Sequence, residues 1–205
     1  MRLRPGHLPA YCGLAAALAA CGRAREAEDA ALDAVERSPA YPPAYVALAV
    51  ALRARKELKK AAAACAAALS HDERSDEAYC ELGHVHAARG RTPKAVAAYQ
   101  TALKIAPSNV AAHVGLGIAL EAQARTKDAA VCFLSACRCE RENLDAHLRL
   151  SNALYRNGQV RRRGWCGLLR SLRRWCRCAS VSLPVIRRAS LVATAVVSVL
   201  GPPPH

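Results

Sequence analysis

Apolar and small residues along positions 8–159 recur at helical spacing, in paired blocks that restart at positions 8, 42, 76, 110 and 144. The sharpest block is Asp76–Pro107. Tyr79, Leu82 and Gly83 fall on one face of a predicted first helix, and Ala95, Tyr99 and Ala102 on one face of a second. Gly90 separates the two, and Pro107 closes the block, because proline cannot continue a helix. Residues 8–41 fill the same places with Tyr11, Leu14, Ala15, Gly22, Ala27, Ala31, Ala34 and Pro39. Residues 42–75 use Tyr45, Leu48, Ala49, Ala61, Cys65 and Ala68; residues 110–143 use His113, Leu116, Gly117, Ala129, Phe133 and Ala136. Residues 144–159 give one more first helix, through His147, Leu150, Ser151 and Gly158. Lys56 and Ala124 stand where the other units have the turn glycine, and Glu73 and Arg141 where proline is usual, so weaker turns are expected there.

These residues at these spacings resemble the tetratricopeptide repeat (TPR) family. The resemblance implies an all-α fold, a right-handed superhelical solenoid of helix–turn–helix units. The units are 8–41, 42–75, 76–109 and 110–143, with the first helix of a truncated fifth at 144–159. Residues 1–7 read as the end of a preceding partial repeat, since Pro5 precedes Pro39 by one full period. The array therefore reads as a segment of a longer repeat protein. Small residues such as Gly83, Gly117, Ala95 and Ala129 are expected to let paired helices approach. Large ones such as Tyr99 and Phe133 are expected to fill the space between units, because no unit buries its apolar face alone.

Composition agrees with close-packed helices. Hydrophobic residues are 53% of the chain, much of it alanine, and aromatics only 4%. An unpatterned Ala-rich bundle is the competing reading, and four units in register without an insertion speak against it. Arg2, Arg4 and the Leu18–Cys21 run also resemble a signal peptide with a lipoprotein cleavage box. The filled repeat positions in the same stretch argue for a helix of the array instead.

The formal charge is +14, and the last 45 residues hold nine arginines and no acid. The basic character belongs to this irregular tail, 160–205. Arg161–Cys178 spaces Trp165, Leu168, Leu169, Leu172 and Cys176 as an amphipathic helix would, which suits an acidic membrane surface or a calmodulin-like partner. Ala189–Leu200 is uncharged but too short to span a bilayer. The pattern stops abruptly at Gln159-Val160-Arg161, whose codons can form a donor splice site. Read-through or an alternative exon from Val160 is the favoured account of the tail. Its charge offers nucleic acid only non-specific affinity, which makes nucleic acid the weakest partner class.

Ten cysteines prompt a search for disulfides or zinc. Cys12, Cys21, Cys65, Cys80 and Cys132 sit singly at helical positions, and the pairs Cys137/Cys139 and Cys176/Cys178 are CxC rather than CxxC. Free thiols in a reducing compartment, hence a cytoplasmic protein, are expected. No P-loop, GxGxxG, GxSxG or HExxH motif is present, and no enzyme, cofactor, metal or small-molecule substrate is inferred.

The resemblance implies a concave groove, lined by the first helices, that takes a protein or peptide. The groove positions are Val46, Val50, Cys80, Glu81, His84, Val114, Ile118, Arg149 and Asn152. This surface is mostly apolar, with polar patches at Glu81/His84 and Arg149/Asn152. Cys12, Ala16, Ala47, Glu77 and Glu81 occupy the places of the carboxylate clamp of chaperone-binding members, so that clamp is not formed. Gly13, Ala47, Glu81, Gly115 and Arg149 replace the asparagine ladder of O-linked N-acetylglucosamine transferase. The expected function is a non-enzymatic interaction scaffold. The alternatives are a membrane-associated adaptor using the tail, or the repeat region of an enzyme whose catalytic domain lies elsewhere.

Overall fold

The structure, a computed structural model, describes residues 7–157. Nine helices and no strand are found among them: α1 Leu8–Ala20, α2 Ala24–Arg37, α3 Pro42–Ala54, α4 Leu58–His71, α5 Asp76–Ala88, α6 Thr92–Ile105, α7 Val110–Ala122, α8 Thr126–Cys139 and α9 Leu144–Arg156. The expectations for residues 1–6 and 158–205, including the basic amphipathic tail, lie outside the described residues. The odd-numbered helices start at a constant interval and span 13 residues each, and the even-numbered ones span 14. Each odd helix packs on the even helix that follows it, and that helix packs on the next odd one. The result is an all-α solenoid of helical repeats.

Local chemistry starts the odd helices in two ways. Pro9 and Pro42 lie in the first turn, where the missing N–H has no partner to lose. Ser75, Asn109 and Asn143 instead cap α5, α7 and α9, their side-chain oxygens accepting from the amides of Ala78, Ala112 and Ala146. The inter-repeat loops share a further contact. Tyr45 Oη, His113 Nε2 and His147 Nε2 reach the carbonyls of Pro39, Pro107 and Arg141 at 2.9, 2.9 and 3.0 Å. Arg141 replaces a proline without losing the bond, because the loop uses the backbone carbonyl and not the ring.

The turn inside each unit is closed the same way four times. The amides of Arg23, Glu57, Arg91 and Arg125 bond the carbonyls of Leu18, Leu52, His86 and Leu120 at 2.9–3.0 Å. This is the Schellman arrangement, and it places one residue in the left-handed region. Gly22 and Gly90 take that place at φ +80° and +70°, but Lys56 and Ala124 take it at φ +64° and +60°. A side chain there crowds the following carbonyl, so the array imposes the conformation against local preference. Lys56→Gly and Ala124→Gly are each expected to raise unfolding stability by about 0.5–1 kcal/mol, the relief of that crowding less the extra freedom of glycine in the unfolded chain. Urea titration followed by circular dichroism checks this; an unchanged midpoint in both variants counts against it.

The core is uneven. From Cys80 to Ala153 one continuous cluster includes Tyr99, Leu116, Leu120, Phe133 and Leu150. The clusters of the first units are small and built largely from alanine. Tyr99 and Phe133 are the largest fully buried side chains among the described residues, and glycines make their room. A Cβ on Gly83 would lie 2.5 Å from the Tyr99 ring, one on Gly115 2.6 Å from it, and one on Gly117 2.4 Å from the Phe133 ring. Tyr99 of α6 thus wedges between Gly83 of its own unit and Gly115 of the next.

Candidate functional site: the face of the first helices

The odd helices lie close to one another, α1 against α3, α3 against α5 and α5 against α7, with no comparable contact between successive even helices among the described residues. Their shared face is therefore the inner side of the array. Of the residues expected to line it, Val46 and Val50 on α3 and Val114 on α7 are half-buried, and Ile118 is 39% exposed. Asn152 on α9 is exposed, and Arg149 is half-exposed and paired with Asp145 at 2.8 Å.

The middle of this face differs from the expected open polar patch. Cys80 and Glu81 are buried, and His84 is half-buried. Arg53, one unit earlier on α3, meets both oxygens of Glu81 through Nε and Nη2. The pair ties the second unit to the third, and burial alone would make the carboxylate costly. Burial pushes the Glu81 carboxyl above its ordinary value, against the opposing pull of Arg53. Arg53 is a site residue that the sequence does not single out. Its only signal is that it is the one charged residue of α3, which acquires meaning once the helices are docked.

His84 is held from two sides. Its Nδ1 lies 2.8 Å from Tyr99 Oη and its Nε2 3.7 Å from Cys80 Sγ. The Tyr99 ring also meets the imidazole edge-on, with centroids 5.3 Å apart. Burial, helped by the nearby Arg53 charge, lowers the His84 pKa to about 4. Burial also raises the Cys80 thiol to about 12, with Glu81 adding to the effect. Cys80 and His84 have the spacing of a nucleophile and its base, but each is held in its neutral form. A thiol that does not ionise near neutral pH is a poor nucleophile. Among the described residues no group of three or more His, Cys, Asp or Glu is placed to hold a metal.

Two exposed apolar residues on α9 also escape the sequence expectation. Leu148 is 38% exposed and Tyr155 47%, seven residues apart and so on one side of the helix. Gly115, which stands at a ladder position in the sequence, does not line the face at all: it is buried beneath Tyr99.

The helix order and the glycine-seated aromatics define a helical-repeat solenoid. Residues 83–123 match the TPR repeat family profile. The matched segment is a tetratricopeptide repeat, of a family whose members generally serve as protein-interaction scaffolds. No curated protein matches the chain significantly in sequence. Solved structures agree in fold. A thermophilic TPR protein of Thermus thermophilus superposes with a TM-score of 0.67 at 22% identity, over 74% of this chain and 84% of that one. PilF of Pseudomonas aeruginosa gives 0.64 at 22% identity, over 74% and 69%. MamA gives 0.53 at 23% identity, over 69% and 82%.

Proposed function

We propose that the chain is a non-enzymatic scaffold that takes a partner helix or extended peptide on the inner face of its first helices. The observation that carries this reading is the row of half-buried or exposed aliphatic side chains on that face, Val46 and Val50 on α3 and Val114 and Ile118 on α7. Between them the charges of Arg53 and Glu81 neutralise each other, so the strip offers apolar contact and little fixed charge. Such a surface suits an amphipathic ligand whose side chains at helical spacing anchor in it. Cys80, Glu81 and His84 form the floor of the middle of the site, and Arg149 and Asn152 supply polar contacts at its α9 end.

The seven described cysteines are unpaired, which supports a reducing, cytoplasmic setting. No described helix is long and apolar enough to cross a membrane. Val50→Asp combined with Ile118→Asp is expected to abolish capture of the partner in pull-down while leaving the helical signal unchanged. Ile118 is exposed and Val50 only half-buried, so the folded array tolerates the charges, whereas a docked apolar face does not. Wild-type capture by the folded double variant would count against this face as the site.

A further inference from the structure

The charges of the array are sorted between its two edges. The chain doubles back at every turn, so successive odd helices run the same way and the turns inside the units all fall at one edge. The four turn segments, 21–28, 55–62, 89–96 and 123–130, hold eleven Lys or Arg against four Asp or Glu. The loops between units at the other edge, 36–43, 70–77, 104–111 and 138–145, hold five against eight. Six cations of the turn edge, Arg25, Lys56, Lys59, Arg91, Lys94 and Lys127, are exposed and make no ion pair among the described residues. Several stand where local preference is against them. Lys56 is a turn tip at φ +64°, a conformation that favours glycine. Lys59, Lys60 and Lys94 lie in the first turns of α4 and α6, which hold no acid, although the helix dipole favours acids there. In the third unit the charges act together: burial lowers the His86 pKa, and Lys94, Arg89 and Arg91 lower it further.

We propose that this turn edge docks on an acidic lipid membrane. Its charges recur over four units and are not gathered round a cleft, so they match an extended anionic surface and not a compact ligand. The recess between the first two turns is no discrete anion site: Arg23 there is paired with Glu26, and Arg55 with Glu28 and Glu57. The turn segments hold no aromatic residue, so they offer nothing on which a nucleic-acid base would stack. A lipid surface needs neither a pocket nor a fixed donor geometry, because each Lys or Arg held near it adds its own attraction. The opposite edge, with its excess of acids, is repelled by the same surface, so the array meets the lipid with its turns. The edge does not include Val50 or Ile118, and the inner face keeps its own role.

Flotation of the 205-residue chain with phosphatidylcholine vesicles, with and without phosphatidylserine, tests the proposal. Binding is expected only with phosphatidylserine, and is expected to weaken as salt is raised. Residues 160–205 are the same in every variant, so only the edges differ. Lys59→Glu, Lys94→Glu and Lys127→Glu combined are expected to lower vesicle affinity on the order of a hundredfold. Circular dichroism is expected to stay unchanged, because acids suit the first turns of helices. Arg74→Glu, Lys104→Glu and Arg141→Glu combined make the same change of net charge on the other edge, and are expected to stay within about threefold of the wild type. Lys56→Gly is expected to bind about fivefold more weakly although it relieves its turn. A folded turn-edge variant that binds as the wild type does overturns the proposal, as does an equal loss in the variant of the other edge. Tighter binding to duplex DNA or to polyglutamate than to the vesicles, at equal charge concentration, overturns the choice of lipid.

Discussion

Replacing Tyr99 by Ala is expected to lower unfolding stability by about 3–5 kcal/mol, the range for removing a buried aromatic side chain. The ring is 1% exposed and fills a slot whose walls are the backbones of Gly83 and Gly115, on two different helices. Neither glycine has a side chain that can move in to close the gap, so the vacated volume persists as a cavity. His84 would also lose the 2.8 Å contact at Nδ1. Tyr99→Phe keeps the ring and removes only that contact, so about 1–2 kcal/mol is expected. Because Tyr99 spans an interface between units, its loss should also uncouple them. Urea unfolding followed by circular dichroism and by a fluorescent probe in each half is then expected to separate into two transitions. A Tyr99→Ala cost no larger than that of Tyr99→Phe would mean that the ring contributes little beyond its hydroxyl.

Acidification supplies the second large effect. The His84 pKa is about 4 in the folded chain against an ordinary 6.5. Above pH 6.5 the imidazole is neutral in both states and its packing contributes in full. As the pH falls from 6.5 toward 4, the unfolded chain takes up a proton that the folded chain resists, and stability is lost; below about 4 the loss is complete. At about 1.4 kcal/mol per unit, this one group removes on the order of 3 kcal/mol. Glu81 acts with the opposite sign. Its carboxyl is raised above 4.5, so its contribution is full below that value and declines as the pH rises through the folded-state pKa. Acid therefore relieves Glu81 while it stresses His84. His84→Gln keeps a neutral hydrogen-bonding side chain and is expected to flatten the fall in stability between pH 6.5 and 4. An equally steep fall in that variant would place the acid sensitivity elsewhere.

The two effects meet at one place because Tyr99, His84, Glu81 and Arg53, partly or fully buried on three helices, interact through the Tyr99–His84 and Arg53–Glu81 pairs and the Arg53 charge near His84. Little of it is legible in the sequence. The repeat pattern marks Tyr99 as a large residue between units and Gly83 as a small one, and the structure agrees on both. The role of Gly115 is not visible, since a glycine at a groove-type position reads as open surface until the preceding helix is placed over it. Glu81 and His84 read as a polar patch facing a ligand. The docked α3 and α6 instead bring Arg53 onto Glu81 and Tyr99 onto His84. Leu148 and Tyr155 stand out only when their exposure on α9 is known.

The turns make the same point from the other direction. Lys56 and Ala124 lack the residue type that the left-handed position favours, yet the chain turns there as it does at Gly22 and Gly90. A local preference of roughly a few tenths to one kcal/mol is outweighed by the packing of the helices on either side. Arg141 similarly keeps the loop contact of a missing proline, because the bond needs only a carbonyl.

The sequence by itself determined the helices, their order and the repeat: a constant period with small and large apolar positions in register is a local pattern, and it survives the loss of individual turn residues. Tertiary structure decided which of those positions are surface. Burial of a given alanine, glycine or glutamate depends on whether a neighbouring unit lies over it, and two residues with identical repeat positions, Gly13 and Gly115, end as an open slot and a filled one. The period is written in each unit, whereas the neighbour is not.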